Sequence, residues 1–235
     1  MPTKEALFKD FETRVKQCTK CGLSKGRIHV VPGEGSINAE IMFIGEGPGK
    51  NEDEQGRPFV GAAGKVLTEL IKSIGLTRQE IYIANVVKCR PPSNRDPLPA
   101  EIETCWPWLE KQIFMIKPKL IIPLGRHSLG RFLPNAKISR DHGRALRKNI
   151  KATTNIVAES EYRVVFFPCY HPAAALYNGS LRDVLKKDFK KIPKVLEVIE
   201  KEKEKKPTKP HITTGEENTL QDKKENGEEQ QLQLF

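Results

Sequence analysis

The sequence predicts an α/β fold around a central, mainly parallel sheet of about four strands. Three observations carry that prediction: four short apolar runs of strand length, helical patterns between them, and Gly- or Pro-rich breaks where the runs end. With 235 residues, 37% of them hydrophobic, the chain is long enough for one packed domain.

The elements follow in order. Thr3 to Lys16 reads as an amphipathic helix, with Leu7, Phe8, Phe11 and Val15 near helical spacing. Glu40 to Gly45 is a short apolar strand that runs into Gly45-Glu46-Gly47-Pro48-Gly49. A helix spans about Gly61 to Ile74 and stops at Gly75. The next strand is Ile81 to Val87, and the four prolines between Lys88 and Pro99 make the following segment a loop. A helix from about Ala100 to Ile116, a strand from Lys119 to Leu124 and a helix from Arg126 to Phe132 come next. Residues 135–160 show no clear pattern, and Tyr162 to Pro168 is the fourth strand. Three polar segments, at 45–59, 85–95 and 169–178, follow or end strands. In parallel sheets ligands gather beyond those ends, so the three are expected to meet in one crevice.

Charge points to a polyanion. The formal net charge is +10, and the tail from Lys201 to Phe235 sets 7 Lys against 8 Asp plus Glu, leaving the first 200 residues at +11. Lys and Arg contacts to phosphates give salt-sensitive affinity for nucleic acid. A lysine-rich surface of a heat-adapted protein is the plainer alternative. Residues 1–200 are expected to form the domain and 201–235 a disordered charged tail, too poor in apolar groups to offset the entropy of ordering. No apolar run reaches a bilayer span and the start lacks a secretory signal, so a cytoplasmic protein is expected.

Five cysteines in an intracellular chain raise metal or redox chemistry before disulfides. Cys18-x-x-Cys21 is a chelating pair, and Cys89 and Cys105 flank the proline-rich loop. Zinc ribbons use a second Cys-x-x-Cys, which is missing here; zinc and an iron-sulfur cluster both remain open on spacing. Cys169, at a strand end, reads as a packed thiol.

The glycine loop is neither a Walker A motif, which needs four residues between its glycines, nor a dinucleotide fingerprint. Taken with Glu52-Asp53, Gly56-Arg57-Pro58-Phe59-Val60-Gly61, Asn85-Val-Val-Lys-Cys89-Arg-Pro-Pro and His171-Pro-Ala-Ala, it resembles the family 4 uracil-DNA glycosylases over roughly residues 5–195. The resemblance implies a three-layer sandwich and excision of uracil from DNA as the first step of base excision repair. It also implies a four-iron four-sulfur (4Fe-4S) cluster on Cys18, Cys21, Cys89 and Cys105.

The implied site suits the chemistry. A flipped base is held by stacking and by its hydrogen-bonding edge. Phe59 offers the stacking face, and the Asn85 amide can accept from N3–H and donate to O4, a pattern cytosine reverses. His171 is the candidate donor to O2, where negative charge grows as the bond breaks, with backbone N–H groups around Gly47 assisting. Glu46 and Glu52 are implied beside the base or the attacking water. The better-known single-domain enzymes have an Asp where Gly47 stands, so no such Asp is available here. Arg90 and Arg95 are expected to contact DNA, and Leu176 to act as the wedge. His29, His127, His142 and His211 are read as surface or structural. Gln231-Leu-Gln-Leu234-Phe235 resembles a short sliding-clamp-binding motif. A non-catalytic four-cysteine DNA-binding module and a glycosylase of broader base preference are the competing functions. A monomer associated with the nucleoid is expected.

Overall fold

In the computed structural model, residues 2–153, 161–205 and 230–231 are described. Thr3 accepts a hydrogen bond from the Ala6 N–H and caps α1 (Lys4–Lys16), which buries Phe8, Phe11 and Val15. The chain then passes through β1 (Glu34–Gly35), β2 (Ile41–Gly45), α2 (Lys50–Gln55), α3 (Ala62–Ser73) and β3 (Tyr82–Asn85). Next come α4 (Pro99–Ile116), β4 (Leu120–Pro123), α5 (Arg126–Phe132), α6 (Ile138–Asp141), β5 (Leu146–Lys151) and β6 (Glu161–Phe166). The last elements are α7 (Ala174–Tyr177), α8 (Gly179–Phe189), α9 (Ile192–Lys205) and β7 (Gln230–Gln231).

The sheet order is β1-β3-β2-β4-β6-β5-β7. Its centre, β3-β2-β4-β6, is parallel and corresponds to the four strands read from the sequence. Three antiparallel strands extend it. β1 and β7 have two residues each, too short to leave a pattern, and β5 is Leu-Arg-Lys-Asn-Ile-Lys, half-buried and mostly polar. Such a strand carries little alternation for a sequence reading to find.

Alternation across β2 divides the core. Met42 and Ile44 face a layer that includes α1 and α4, while Ile41 and Phe43 face α3, α8 and α9, where Phe43 stacks on Phe189 at 5.7 Å. The result is the expected three-layer sandwich. β3 lies on one side of β2 and β4 on the other, so the carboxyl end of β2 is a topological switch point.

Helix α9 runs to Lys205, past the boundary expected at 200. Most of the charged tail lies outside the described residues, as do Leu234 and Phe235 of the terminal motif; the Gln231 backbone pairs with Leu146. Among the described residues no helix is long and apolar enough to cross a membrane.

Candidate active site

Strands β2 and β3 end in register, with Gly45 beside Asn85. A cleft of about 360 Å³ opens there, and Phe59, Asn85 and His171 all line it, together with Glu46, Gly47 and Glu52. The three segments expected to converge do so.

Phe59 is 7% exposed and has φ 53°, a left-handed conformation that a side chain adopts at a cost of about 1 kcal/mol or more. Its surroundings hold it there. Arg78 donates to the Pro58 carbonyl (2.7 Å) and the Phe59 carbonyl (3.1 Å). Glu52 accepts from the N–H groups of Val60 (2.8 Å) and Gly61 (2.9 Å) just beyond. The first turn of α3 presses against the same peptide so closely that a Cβ on Gly64 would sit 1.9 Å from the Phe59 oxygen. Replacing Arg78 by Met removes both hydrogen bonds and is expected to free the turn, read as about tenfold faster amide exchange at residues 59–61.

Asn85 is 2% exposed, and among the described residues nothing donates to its Oδ1. A buried orphan acceptor costs roughly 1–3 kcal/mol. The amide is wedged in place, because a Cβ on Gly45 would lie 2.4 Å from this oxygen and 2.7 Å from the Phe59 ring. Glycine at 45 is therefore required for the amide and the ring to share one wall. A Cβ on Gly47 would likewise meet the Val87 side chain at 2.9 Å.

His171 follows β6 and leans on Phe59, with ring centroids 5.5 Å apart and planes 31° from parallel. The Ala173 N–H donates to His171 Nδ1 at 3.1 Å, so Nδ1 carries no proton and the ring proton of the neutral form sits on Nε2. Burial lowers the imidazole pKa to about 4, with Glu52 opposing the shift. The ring is thus a neutral N–H donor at ordinary pH.

The two glutamates differ. Both Glu52 oxygens are engaged by backbone, Oε2 accepting from the Gly49 N–H and Oε1 from Val60 and Gly61, so this side chain staples the glycine loop to the Phe59 turn. Glu46 is half-buried, and burial raises its pKa above the ordinary carboxylate range. Its Oε2 lies 3.8 Å from His127 Nε2, which is itself 3.2 Å from Asp96. His127, read from sequence as surface or structural, is a neighbour of the site. The signal for it was its place in the first turn of α5, just beyond the carboxyl end of β4.

Cys18, Cys21, Cys89 and Cys105 line one cavity, between the end of α1, the loop after β3 and the side of α4. N–H donors reach three of the sulfurs: Arg27 to Cys89 (3.1 Å), Trp108 to Cys18 (3.3 Å) and the Lys88 backbone to Cys105 (3.3 Å). Cys169 is fully buried in the opposite layer of the core, as expected of a packed thiol.

The family model for the uracil DNA glycosylase superfamily matches residues 32–199. The chain belongs to the uracil DNA glycosylase superfamily. It is 51% identical over 179 residues to a type-4 uracil-DNA glycosylase of Sulfurisphaera tokodaii, covering 76% of this chain and 80% of that protein. The type-4 enzyme of Saccharolobus solfataricus is 50% identical over 183 residues, covering 77% and 83% of the two chains. That of Thermotoga maritima is 41% identical over 193 residues, covering 81% and 95%.

Of the remaining candidates of this superfamily member, Arg95 lines the cleft, whereas Arg90 and Leu176 are not among its lining residues. Arg95 forks onto Glu101 (2.7 and 2.9 Å), and Glu101 also accepts from the Leu98 N–H at the start of α4. Its guanidinium therefore braces the proline-rich loop. Arg90 donates to Asn94 Oδ1 (2.8 Å). Leu176 is 44% exposed on α7, and its neighbour Tyr177, which the sequence reading passed over, is 90% exposed.

Proposed function

We propose that the protein is a uracil-DNA glycosylase, hydrolysing the N-glycosidic bond of deoxyuridine in DNA to release uracil and leave an abasic site. One observation carries the reading: a buried unpaired acceptor on Asn85, a neutral Nε2–H on His171 and the Phe59 ring line the same cleft. Uracil offers the complement of each. Its N3–H fills the Asn85 acceptor, its face meets the Phe59 ring, and its O2 takes the His171 proton donor as the departing base becomes an anion. Glu46 orients the water that attacks the sugar carbon, and its raised pKa suits it to accept the proton that water loses. The proton balance closes when the uracil anion is protonated. Glu52 contributes by holding Phe59 and the glycine loop in place.

The same reading assigns Cys18, Cys21, Cys89 and Cys105 to a 4Fe-4S cluster. The N–H donors aimed at the sulfurs favour thiolates. When bound, the cluster supplies a cross-link that fixes the α1 end and α4 against the loop bearing Arg90 and Arg95.

The basic domain of residues 1–200 then binds DNA through Arg90 and the exposed tip at Leu176 and Tyr177, and the protein acts as a nucleoid-associated monomer. The extension from 201 carries Gln231, Leu234 and Phe235 to a sliding clamp.

The test is release of free uracil from a labelled oligonucleotide by the purified protein, with a visible absorbance at roughly 400 nm from thiolate-bound iron. DNA binding without release would leave a binding module, and release of hypoxanthine or thymine would replace this reading with a broader glycosylase.

A further inference from the structure

Lys88 stands between the two centres described above. It is 1% exposed, and lysine is almost never so buried without a partner for its charge. Its ammonium donates to the Asn85 backbone oxygen at 2.9 Å and to Gln112 Oε1 at 2.6 Å. Gln112 in turn donates to the Pro32 oxygen (2.8 Å) and to Tyr82 Oη (2.9 Å), which fixes the amide with its oxygen toward Lys88. Both acceptors of the ammonium are neutral. No carboxylate pairs with it among the described residues.

The groups beside it that would become anionic on binding a metal are sulfurs. Lys88 lines the cavity of the four cysteines, its own N–H donates to Cys105, and Cys89 follows it in the chain. One residue thus joins the wall of the sulfur cavity to the carbonyl of Asn85, whose side chain lines the cleft with its Oδ1 buried and, among the described residues, without a donor.

We propose that Lys88 is a positioning residue that couples the thiolate centre to the uracil-reading amide. Negative charge on the liganded sulfurs keeps the ammonium in its buried site, and the ammonium anchors the carboxyl end of β3, from which the Asn85 amide projects. This rests on the cluster and Asn85 assignments made above. It gives the cluster a route of influence on base recognition that needs no electron transfer.

Lys88→Met keeps most of the length of the side chain and removes the charge. With the full-length protein, absorbance near 400 nm is expected to decay about tenfold faster under an iron chelator, and kcat/KM on uracil-containing DNA to fall about tenfold, the usual range for groups that support a metal site. The cluster potential shifts negative, because a nearby cation that favoured the reduced form is gone. Lys88→Arg, which restores a cation, recovers cluster lifetime in part.

Should Lys88→Met fail to fold, the wild-type protein supplies the decisive measurement. Stripping iron under anaerobic conditions is expected to raise amide exchange about tenfold at residues 84–88 while the β4 amides stay protected. Unchanged exchange there, or an unchanged cluster lifetime in Lys88→Met, overturns the coupling. Absence of the 400 nm band from the wild-type protein removes the cluster assignment and this proposal with it. A band together with an inert Lys88→Met removes the proposal alone.

Discussion

Replacing His171 with Ala is expected to lower kcat for uracil release about 100- to 1,000-fold while KM changes little. A donor aimed at O2 acts where charge develops, so its loss falls on the transition state, and one such donor is worth roughly 3 kcal/mol in a water-excluded site. Single-turnover kinetics on uracil-containing DNA reads the chemical step directly. The tautomer fixed by the Ala173 N–H makes the donor available without protonating the ring. Titration of this histidine therefore costs no activity until pH nears the depressed value of about 4. Stability behaves differently. The unfolded chain protonates His171 near 6.5 and the folded one near 4, so between those values the unfolded state binds more protons. Folding stability then falls as pH drops from 6.5 toward 4, by less than about 3 kcal/mol because the residue is only part-buried at the cleft wall. His171→Ala removes that slope in thermal melts taken across this range. A variant with unchanged kcat would take His171 out of the chemistry.

The second large effect concerns the Asn85 amide. Asn85→Ala is expected to reduce kcat/KM for uracil by about 100-fold or more, since two hydrogen bonds to the base edge disappear at once. Asn85→Asp tests the direction of the pattern. A carboxylate has no donor for uracil O4, yet it accepts from the amino group of cytosine, so the ratio of uracil to cytosine excision is expected to collapse. Parallel assays on oligonucleotides that differ in that one base measure the ratio. Equal discrimination in all three proteins would assign base reading elsewhere.

Much of this arrangement was legible in the residues. The four parallel strands stood out because each is a short apolar run with a break after it, and the ends of those runs mark where the cleft lies. Gly45 and Gly64 were visible as letters, but their necessity was not, because it depends on approaches of 2.4 Å and 1.9 Å to groups distant in sequence or folded back by a turn. The separate tasks of Glu46 and Glu52 were equally hidden: two acidic residues six apart look alike until backbone donors from 60 and 61 claim one of them. β5 escaped because a half-buried strand rich in Arg and Lys carries no apolar alternation. Lys88 reads as one more basic residue in a basic chain, and only its burial marks it.

The turn that bears Phe59 is locked before any base arrives, by Arg78, Glu52 and the Gly64 contact. A stacking face set in advance leaves the slow motion to the nucleic acid. Uracils in weakly stacked surroundings should then be processed soonest, with the rhythm of repair set by how readily each stretch of DNA lets a nucleotide swing out.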